Sequence, residues 1–582
     1  MGEVAESRSS PWRTPTIDLA TQARLQAELG LQRVTAAALV VRGVIEPDKA
    51  QRFLNPSLDQ LHNPGLLPDY AAARDAILDC RERNLPIYVH GDYDVDGVTS
   101  AAIFARFLAA IGCQVHGHVP HRFREGYGIH RLAVEEAKSL GTHLFLTCDC
   151  GIAAHEAVDS AKALGMRVVV TDHHSAPEIL PGAEALVNPH RADSTYPFRE
   201  LSGAGIAYKL CLGLARELGM PEAKFHAHFL DLAALGTVSD CVPLLDENRV
   251  ITWAGLSALH ATKKAGLRAL LNSSDRAQKA RLDTDDISFG LGPRINAAGR
   301  VQESELAYRL LMSTDTTESA RMAQEIERLN DERRAEQTRI VDEAVARAAA
   351  TDPEFHPVIV LHDAGWHLGI VGIAASKVVE ATGRPAFLLG TDPTTGRIKG
   401  SARSIPGFDL ARLIRNFPEL VSGGGHAMAA GVQFAPELLN SVEEAFRRYG
   451  AELLETALAI DAAPAEVTAT PEELTLAVAE ELERFAPFGF GNPPVRILAP
   501  SMELREVRST KNERVVQLVL GGAEGQDLKG VSFKLASRLR SDPVPLRIDA
   551  IGRVSVDRFR SPVPQFELLD YQPSVNGACP QP

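Results

Sequence analysis

Short apolar runs that each end in an acidic or histidine-bearing motif constrain this chain most. Residues 86–90 (Pro-Ile-Tyr-Val-His) lead into Gly91-Asp92-Tyr93-Asp94-Val95-Asp96-Gly97. Leu144-Phe145-Leu146-Thr147 leads into Cys148-Asp149-Cys150-Gly151, and Arg167-Val168-Val169-Val170-Thr171 into Asp172-His173-His174. Runs this short, rich in β-branched and aromatic residues and closed by turn residues, read as buried strands. Helical patterns fall between them at 98–111, 130–140 and 153–164, with one more strand at 114–119. That alternation predicts an α/β fold built on a parallel, doubly wound sheet. Ligands of such sheets collect outside the carboxyl ends of the strands, where the motifs begin. Helices from about 203 to 237 are expected beside the sheet and lead into a fourth motif, Gly236-Thr237-Val238-Ser239-Asp240.

Asp92-x-Asp94-x-Asp96-Gly97 also matches the opening of an EF-hand loop. That loop needs a bidentate Glu at its twelfth position; here Ile103 stands there, and the loop follows a strand. What remains is a tight turn that aims two or three carboxylates at one point, with His90 able to join them. Each aspartate alone also fits a helix N-cap, but four such sites with two adjacent histidines fit a metal centre better. Crowded carboxylates repel unless a cation neutralises them. Asp94, Asp96, Asp149 and Asp240 with His173 and His90 make a mixed oxygen and nitrogen set, suited to Mn²⁺ or Mg²⁺. Two ions sharing a carboxylate activate a water and stabilise a leaving oxygen. The expected chemistry is metal-assisted phosphoester hydrolysis.

A chain of 582 residues is too long for one core. An N-terminal helical segment is expected over 1–80, with prolines at 47, 56, 64 and 68, and the catalytic domain over 81–265. A connecting segment spans 266–350; its last part, 315–350, reads as one long charged helix without Pro or Gly. A second α/β unit is expected over 351–460, with strands near 357–361 and 385–389. Short strands with Gly and Pro turns from about 495 suggest a small β-barrel such as an OB-fold, in a domain expected over 461–570. The first fifteen residues and 571–582 read as loose. The second unit and the segment before it carry phosphate-binding chemistry: Arg294 and Arg300 in a small-residue loop at 292–300, Ser401 and Arg403 in another, and three glycines before His426.

Net charge is −14, which argues against a coat for nonspecific DNA binding. Residues 496–560 nevertheless hold 13 Lys+Arg against 8 Asp+Glu, a local basic face that can meet phosphates. No apolar run reaches the length of a membrane span and no secretion signal opens the chain, so a cytoplasmic protein is expected. Seven scattered cysteines suit reduced core thiols; Cys148 and Cys150 have no second pair to complete a zinc site.

In this order the motifs resemble the DHH phosphoesterase superfamily and, within it, the RecJ family of single-strand-specific 5′→3′ DNA exonucleases. The resemblance runs from about Phe53 to Gln565. It takes in 90–97, Arg122-Phe123-Arg124-Glu125-Gly126-Tyr127-Gly128, Asp172-His173-His174, 234–240 and 292–300. It also takes in Gly365-Trp366-His367, 399–403, 424–431 and the Phe485-Ala486-Pro487-Phe488-Gly489-x-Gly491-Asn492-Pro493 segment. It implies Asp94, Asp96, Asp149, His173 and Asp240 as metal ligands, with Asp149 the bridge and His90 a further ligand. His174 would contact the scissile phosphate and Asp172 orient a histidine. Arg122, Arg300, Ser401 and Arg403, with Arg294 and His426, would hold nucleic-acid phosphates, including the 5′ end.

The same resemblance implies two α/β lobes, a DHH and a DHHA1 domain, joined by a long helix, plus an OB-fold. A further C-terminal domain of longer relatives is not expected. A single-stranded-DNA-binding protein and a RecQ-type helicase are implied partners, and a monomer is expected. Two rival readings are a DHH phosphodiesterase for short oligonucleotides or cyclic dinucleotides, and a noncatalytic replication or repair scaffold. The extra N-terminal and barrel segments argue against the first, and the full ligand set against the second.

Overall fold

The computed structural model describes residues 14–121, 128–301, 304–457, 465–521, 525–541 and 546–574, together with Trp12. The first sheet contains β1 (Ile87–His90), β2 (Val115–His118), β3 (Leu144–Cys148), β4 (Arg167–Thr171) and β5 (Ala185–Val187). Its order is β2-β1-β3-β4-β5, with every neighbour parallel. Alternate residues face opposite sides. Ile87, Val89, Leu144, Leu146 and Val169 enter one core with the helices Val95–Ala110 and Gly203–Glu217. Tyr88, Phe145, Val168 and Val170 enter another with Arg131–Ser139 and His155–Ala163. Burial on both faces explains the apolar runs of β1, β3 and β4, whereas the edge strand β2, Val-His-Gly-His, is partly exposed. The order reverses between β1 and β3, and the crevice at such a reversal is where these sheets bind ligands.

The second lobe contains β6 (Ile359–His362), β7 (Ala386–Thr391), β8 (Ile398–Arg403), β9 (Ser422–Gly425) and β10 (Ala429–Phe434), in the order β6-β7-β8-β10-β9. Only the β6–β7 pair is parallel. The helix Thr316–Ala349 joins the lobes; its 34 residues span about 51 Å. It plants one end in each core: Met322, Ala323 and Ile326 in the first, Ile340, Ala344 and Ala348 beside Trp366 and Val371 in the second.

Strands β11 (Val467–Thr468), β12 (Ile497–Ser509), β13 (Val516–Gly521), β14 (Asp527–Ser532), β15 (Arg547–Asp557) and β16 (Val563–Pro573) form a sheet closed on itself by the β12–β15 pairing. Strand β16 continues past residue 571, where a loose tail was expected, because Tyr571 pairs with Ala550 and is buried in the barrel. Residues 575–582 lie outside the described residues, as do 1–11 and 13.

The N-terminal helical segment divides. The helices Leu19–Leu29, Arg33–Val41 and Pro47–Leu54 share a core with the barrel, whereas Tyr70–Glu82 packs into the first lobe. Ion pairs Arg33–Glu473 (2.5 Å) and Arg42–Glu466 (2.8 Å) reinforce the first contact. Buried Arg249 ties three segments: it donates to the carbonyls of Phe53, Arg484, Phe485 and Ala486 at 2.6–3.1 Å, with its guanidinium 4.2 Å from the Phe53 ring centre.

The small-residue segments expected as loops are regular structure. Residues Gly292–Val301 form a helix that continues a π-helical turn at Ile287–Leu291, and Ser401 and Arg403 lie on β8. The glycines before His426 form β9, where pairing with β10 satisfies the backbone. Glycine and proline, read as breakers, here mark the helix start and a close strand contact.

Candidate metal centre

Strand β1 ends at His90, and the chain turns sharply to begin the helix Val95–Ala110. Gly97 makes the turn possible: a Cβ there would stand 2.5 Å from the Asp92 nitrogen. Asp94 is the helix N-cap and accepts from Gly97 N at 3.1 Å, so its capping and ligand readings coexist. Asp96, in the first turn, accepts from Gly203 N (2.6 Å) and Ala204 N (2.9 Å), the leading amides of the next helix. Asp149 follows β3 in a left-handed conformation, φ 63°, which costs a non-glycine residue strain. It caps no helix, since the next one begins at His155 with Ala154 as its cap. Asp240 terminates the helix Glu222–Ser239.

These elements bring the predicted ligands together. His173 Nε2 stands 3.1 Å from Asp149 Oδ1, 3.6 Å from Asp240 Oδ2 and 3.9 Å from Asp96 Oδ2. Three groups each offer ligand atoms within 4.8 Å of one another: Asp149, His173 and His174; Asp96, His173 and Asp240; Asp92, Asp94 and Asp149. Asp149 belongs to two of them, the position a bridging carboxylate needs. Asp92 was not singled out in the sequence, although it opens the Asp92-x-Asp94-x-Asp96 run. The amides of Gly203 and Ala204 were also missed; Ser202 before them, whose side chain accepts from Gly205 N at 2.9 Å, is the capping signal that marks them.

The donor set fits divalent cations. Asp149 Oδ1 and Asp240 Oδ2 are buried without a hydrogen bond among the described residues. Burial pushes the Asp94 carboxyl up, as does the charge of Asp240, against the Gly97 N–H. Burial, then the Asp240 charge, pushes Asp96 up to about 7. Asp149 rises well above its ordinary value through burial and the charges of Asp96 and Asp94. A pocket whose carboxylates are this reluctant to ionise together is one that a cation relieves.

Asp172 plays a different part. Burial alone would raise its carboxyl, but His174 and backbone amides hold it below the ordinary range. It accepts from His173 N (2.7 Å), His174 N (3.0 Å), Ile152 N (2.9 Å) and His174 Nδ1 (2.7 Å). Burial depresses His174, yet the Asp172 hydrogen bond and charge outweigh it and favour the imidazolium.

Other predicted residues are placed apart. His90 enters none of the three groups. Period-two alternation puts it on the face of Tyr88, with its ring stacked 5.4 Å from His118 and 5.7 Å from Phe145, and Nε2 3.2 Å from Gly128 O. Arg294 is buried and bidentate with Glu327 (2.5 and 2.8 Å), with a third bond to Gly290 O. The open phosphate-binding loop expected around Arg294 is thus an internal ion pair. Arg122 and the side chain of Arg300 lie outside the described residues. His426 is exposed after β9. Ser401 and Arg403 share one face of β8, beside Gly372, and Arg403 is close enough to act on the Cys241 thiol next to Asp240. Ile373 and Lys377 of the second lobe line one cavity with Asp240 and Cys241, so that lobe faces the Asp240 end of the metal groups. The cysteines Cys148 and Cys150 are buried thiols, as expected.

Comparison with known proteins accords with this geometry. The DHH family N-terminal domain matches residues 86–237, the DHHA1 domain 356–452 and the RecJ OB domain 465–570. The single-stranded-DNA-specific exonuclease RecJ of Bacillus subtilis is 34% identical over 94% of this chain and 69% of its own length. That of Escherichia coli is 33% identical over 81% and 85%. A crystal structure of RecJ with Mn²⁺ from Thermus thermophilus superposes with a TM-score of 0.80 and 29% identity, covering 96% of this chain and 79% of that one. With three domain families in the same order and relatives alike over most of their length, this chain belongs to the RecJ family.

Proposed function

We propose that this chain hydrolyses single-stranded DNA from its 5′ end, releasing mononucleotides, with two Mn²⁺ or Mg²⁺ ions as cofactors. The observation that carries the reading is His173 Nε2 within 3.9 Å of three carboxylates, two of which hold buried oxygens with no hydrogen bond among the described residues. The relatives' names, single-stranded-DNA-specific exonucleases, and a RecJ structure with Mn²⁺ support it. Asp94, Asp96, Asp149, His173 and Asp240 would hold the ions, with Asp92 adjoining. Bound there, the ions supply Lewis acidity that polarises the phosphodiester and the attacking water.

The chain's own groups do the rest. Asp172 fixes the His174 ring through Nδ1 and favours its charged form, so the opposite ring nitrogen suits an anionic phosphate oxygen. Arg403 and Ser401 bring a positive charge and a hydroxyl to the same cleft, where Arg122 and Arg300 are further phosphate ligands in this reading. The barrel extends the strand's path with phosphate and stacking contacts. No helix among the described residues is long and apolar enough to cross a membrane. A cytoplasmic monomer that works beside a single-stranded-DNA-binding protein and a RecQ-type helicase completes the proposal.

Digestion of 5′-labelled and 3′-labelled single strands and matched duplex, with Mn²⁺ or chelator, tests it. Immediate release of the 5′ label as mononucleotide, a shrinking 3′-labelled ladder and inert duplex are expected. Hydrolysis of dinucleotides without cleavage of long strands would overturn it.

A further inference from the structure

The two helices that carry Asp96 and Asp240 to the metal edge also wall a cavity of about 640 Å³ toward their opposite ends. Arg106 stands ten residues past Asp96 on Val95–Ala110, and Asp231 nine residues before Asp240 on Glu222–Ser239. At 1.5 Å per residue the cavity lies roughly 14–15 Å from those carboxylates along both helices. The link 262–265 closes one side of it. Ser313 and Thr314, which lead into the long helix Thr316–Ala349, close another.

Its charge is the reverse of the metal centre's. Arg106, Lys263 and Lys264 line it against one carboxylate, Asp231. That carboxylate is already engaged: it accepts from Lys264 Nζ (2.9 Å to each oxygen), Thr262 Oγ1 (2.7 Å) and Leu232 N (2.8 Å). Arg106 donates Nε (3.0 Å) and Nη2 (2.6 Å) to Leu311 O, which leaves Nη1 without a hydrogen bond among the described residues. Exposed Lys263 has no carboxylate partner among them. Burial, then the charges of Lys264 and Arg106, hold the His228 imidazole below its ordinary value, a sign of the local positive field. Such a field favours an anion. Ala227, Ala258, Ala261 and Ala265 supply an apolar surface beside these groups. The volume is in the range of small-molecule sites, about 300–1,000 Å³, and far exceeds what a bare phosphate fills.

We propose that this cavity binds a nucleoside monophosphate at a site separate from the metal centre, with the phosphate on Arg106 and Lys263 and the base against the alanines. A guanidinium with a free donor and a mobile ammonium suit a phosphate monoester. The bound molecule would touch both helices that carry metal ligands and the residues from which the long helix springs. It would tie the first lobe to its connector. The ligand class is the one that the nuclease reading releases as product, but the charge and shape of the site hold without that reading.

Calorimetric titration of the full chain in chelator with deoxyadenosine monophosphate, inorganic phosphate and deoxyadenosine tests it. One saturable site for the monophosphate is expected, with phosphate about tenfold weaker and the nucleoside unbound. Lys263→Glu, at an exposed position, should weaken the monophosphate about tenfold and Arg106→Gln similarly, whereas Asp149→Ala should leave it unchanged. Hydrogen exchange of wild type needs no variant to fold: the monophosphate should protect 258–265 and 313–314, not the metal edge at 92–97. No binding in chelator, unchanged affinity in Lys263→Glu, binding abolished by Asp149→Ala, or protection at the metal edge overturns the site. Phosphate that binds as tightly as the monophosphate overturns the nucleoside assignment. A chain that binds the monophosphate here but cuts no strand in Mn²⁺ upholds the site and overturns the nuclease reading instead.

Discussion

The metal edge of the first lobe and the strands of the second lobe that face it are built on opposite principles. At the metal edge three carboxylates are fixed by backbone: Asp94 by the Gly97 amide, Asp96 by Gly203 and Ala204, Asp172 by three amides. Across the cleft, the one hydrogen bond of the Arg403 side chain among the described residues goes to its neighbour's carbonyl, Ala402 O, at 2.9 Å. The first is held by a net of backbone amides, the second by far fewer hydrogen bonds. Chemistry should therefore depend steeply on the one, and substrate binding more gently on the other.

Four measurements sharpen or break that contrast. Asp149→Ala should lower kcat on single-stranded DNA by about 10³-fold or more even at saturating Mn²⁺, since it stands in two ligand groups. A folded variant with near-normal activity would remove Asp149 from the centre. Asp172→Asn should cost roughly 10–100-fold, because it orients a histidine rather than holding an ion; titration with Mn²⁺ separates lost affinity from lost turnover. Arg403→Ala should raise KM for a 5′-phosphorylated strand by about tenfold, the value of one charge-assisted contact, while Mn²⁺ affinity stays within twofold or so. An equal loss of Mn²⁺ binding would mean that the two walls are one unit.

The smallest effect is a pH dependence. Asp96 ionises near 7 in the fold against 3.8 ordinarily, so between these values the folded state keeps a proton that the unfolded chain has lost. The cation-free fold therefore loses stability as pH rises through that window. A cation must displace the same proton at low pH and need not at high pH. The rise in Tm on adding Mn²⁺ should thus be larger at pH 8 than at pH 5.5; a gain that shrinks with pH would contradict the reluctant-carboxylate picture.

What could be read from the residues follows the same divide. Asp94, Asp96, Asp149 and His173 follow strands whose apolar runs are visible, so both the sheet and the gathering of these side chains at its edge were legible. The position of the His90 ring was not, because its side chain follows the period of β1 onto the ring stack with His118. Arg294 was not, because its partner Glu327 lies 33 residues on, along the helix between the lobes. Arg403 was legible as a residue type but not as part of the cleft. Its apposition to Cys241 depends on the length and packing of Thr316–Ala349, which local pattern does not encode. The segment 292–300 misled for a local reason: Pro293 opens a helix as readily as it breaks one.

The union of the first helices with the barrel has a consequence for birth on the ribosome. Gln32 N bonds Glu481 across 449 positions of sequence, and Leu25, Val34 and Leu39 share one apolar core with the barrel. At about 5–20 residues per second, those helices wait roughly 20–90 s for their partner to be made. The parallel-sheet lobe can mature during that interval. A nascent chain halted before residue 465 should therefore present an assembled metal lobe together with a sticky, unsheltered N-terminal arm, the form most in need of a chaperone.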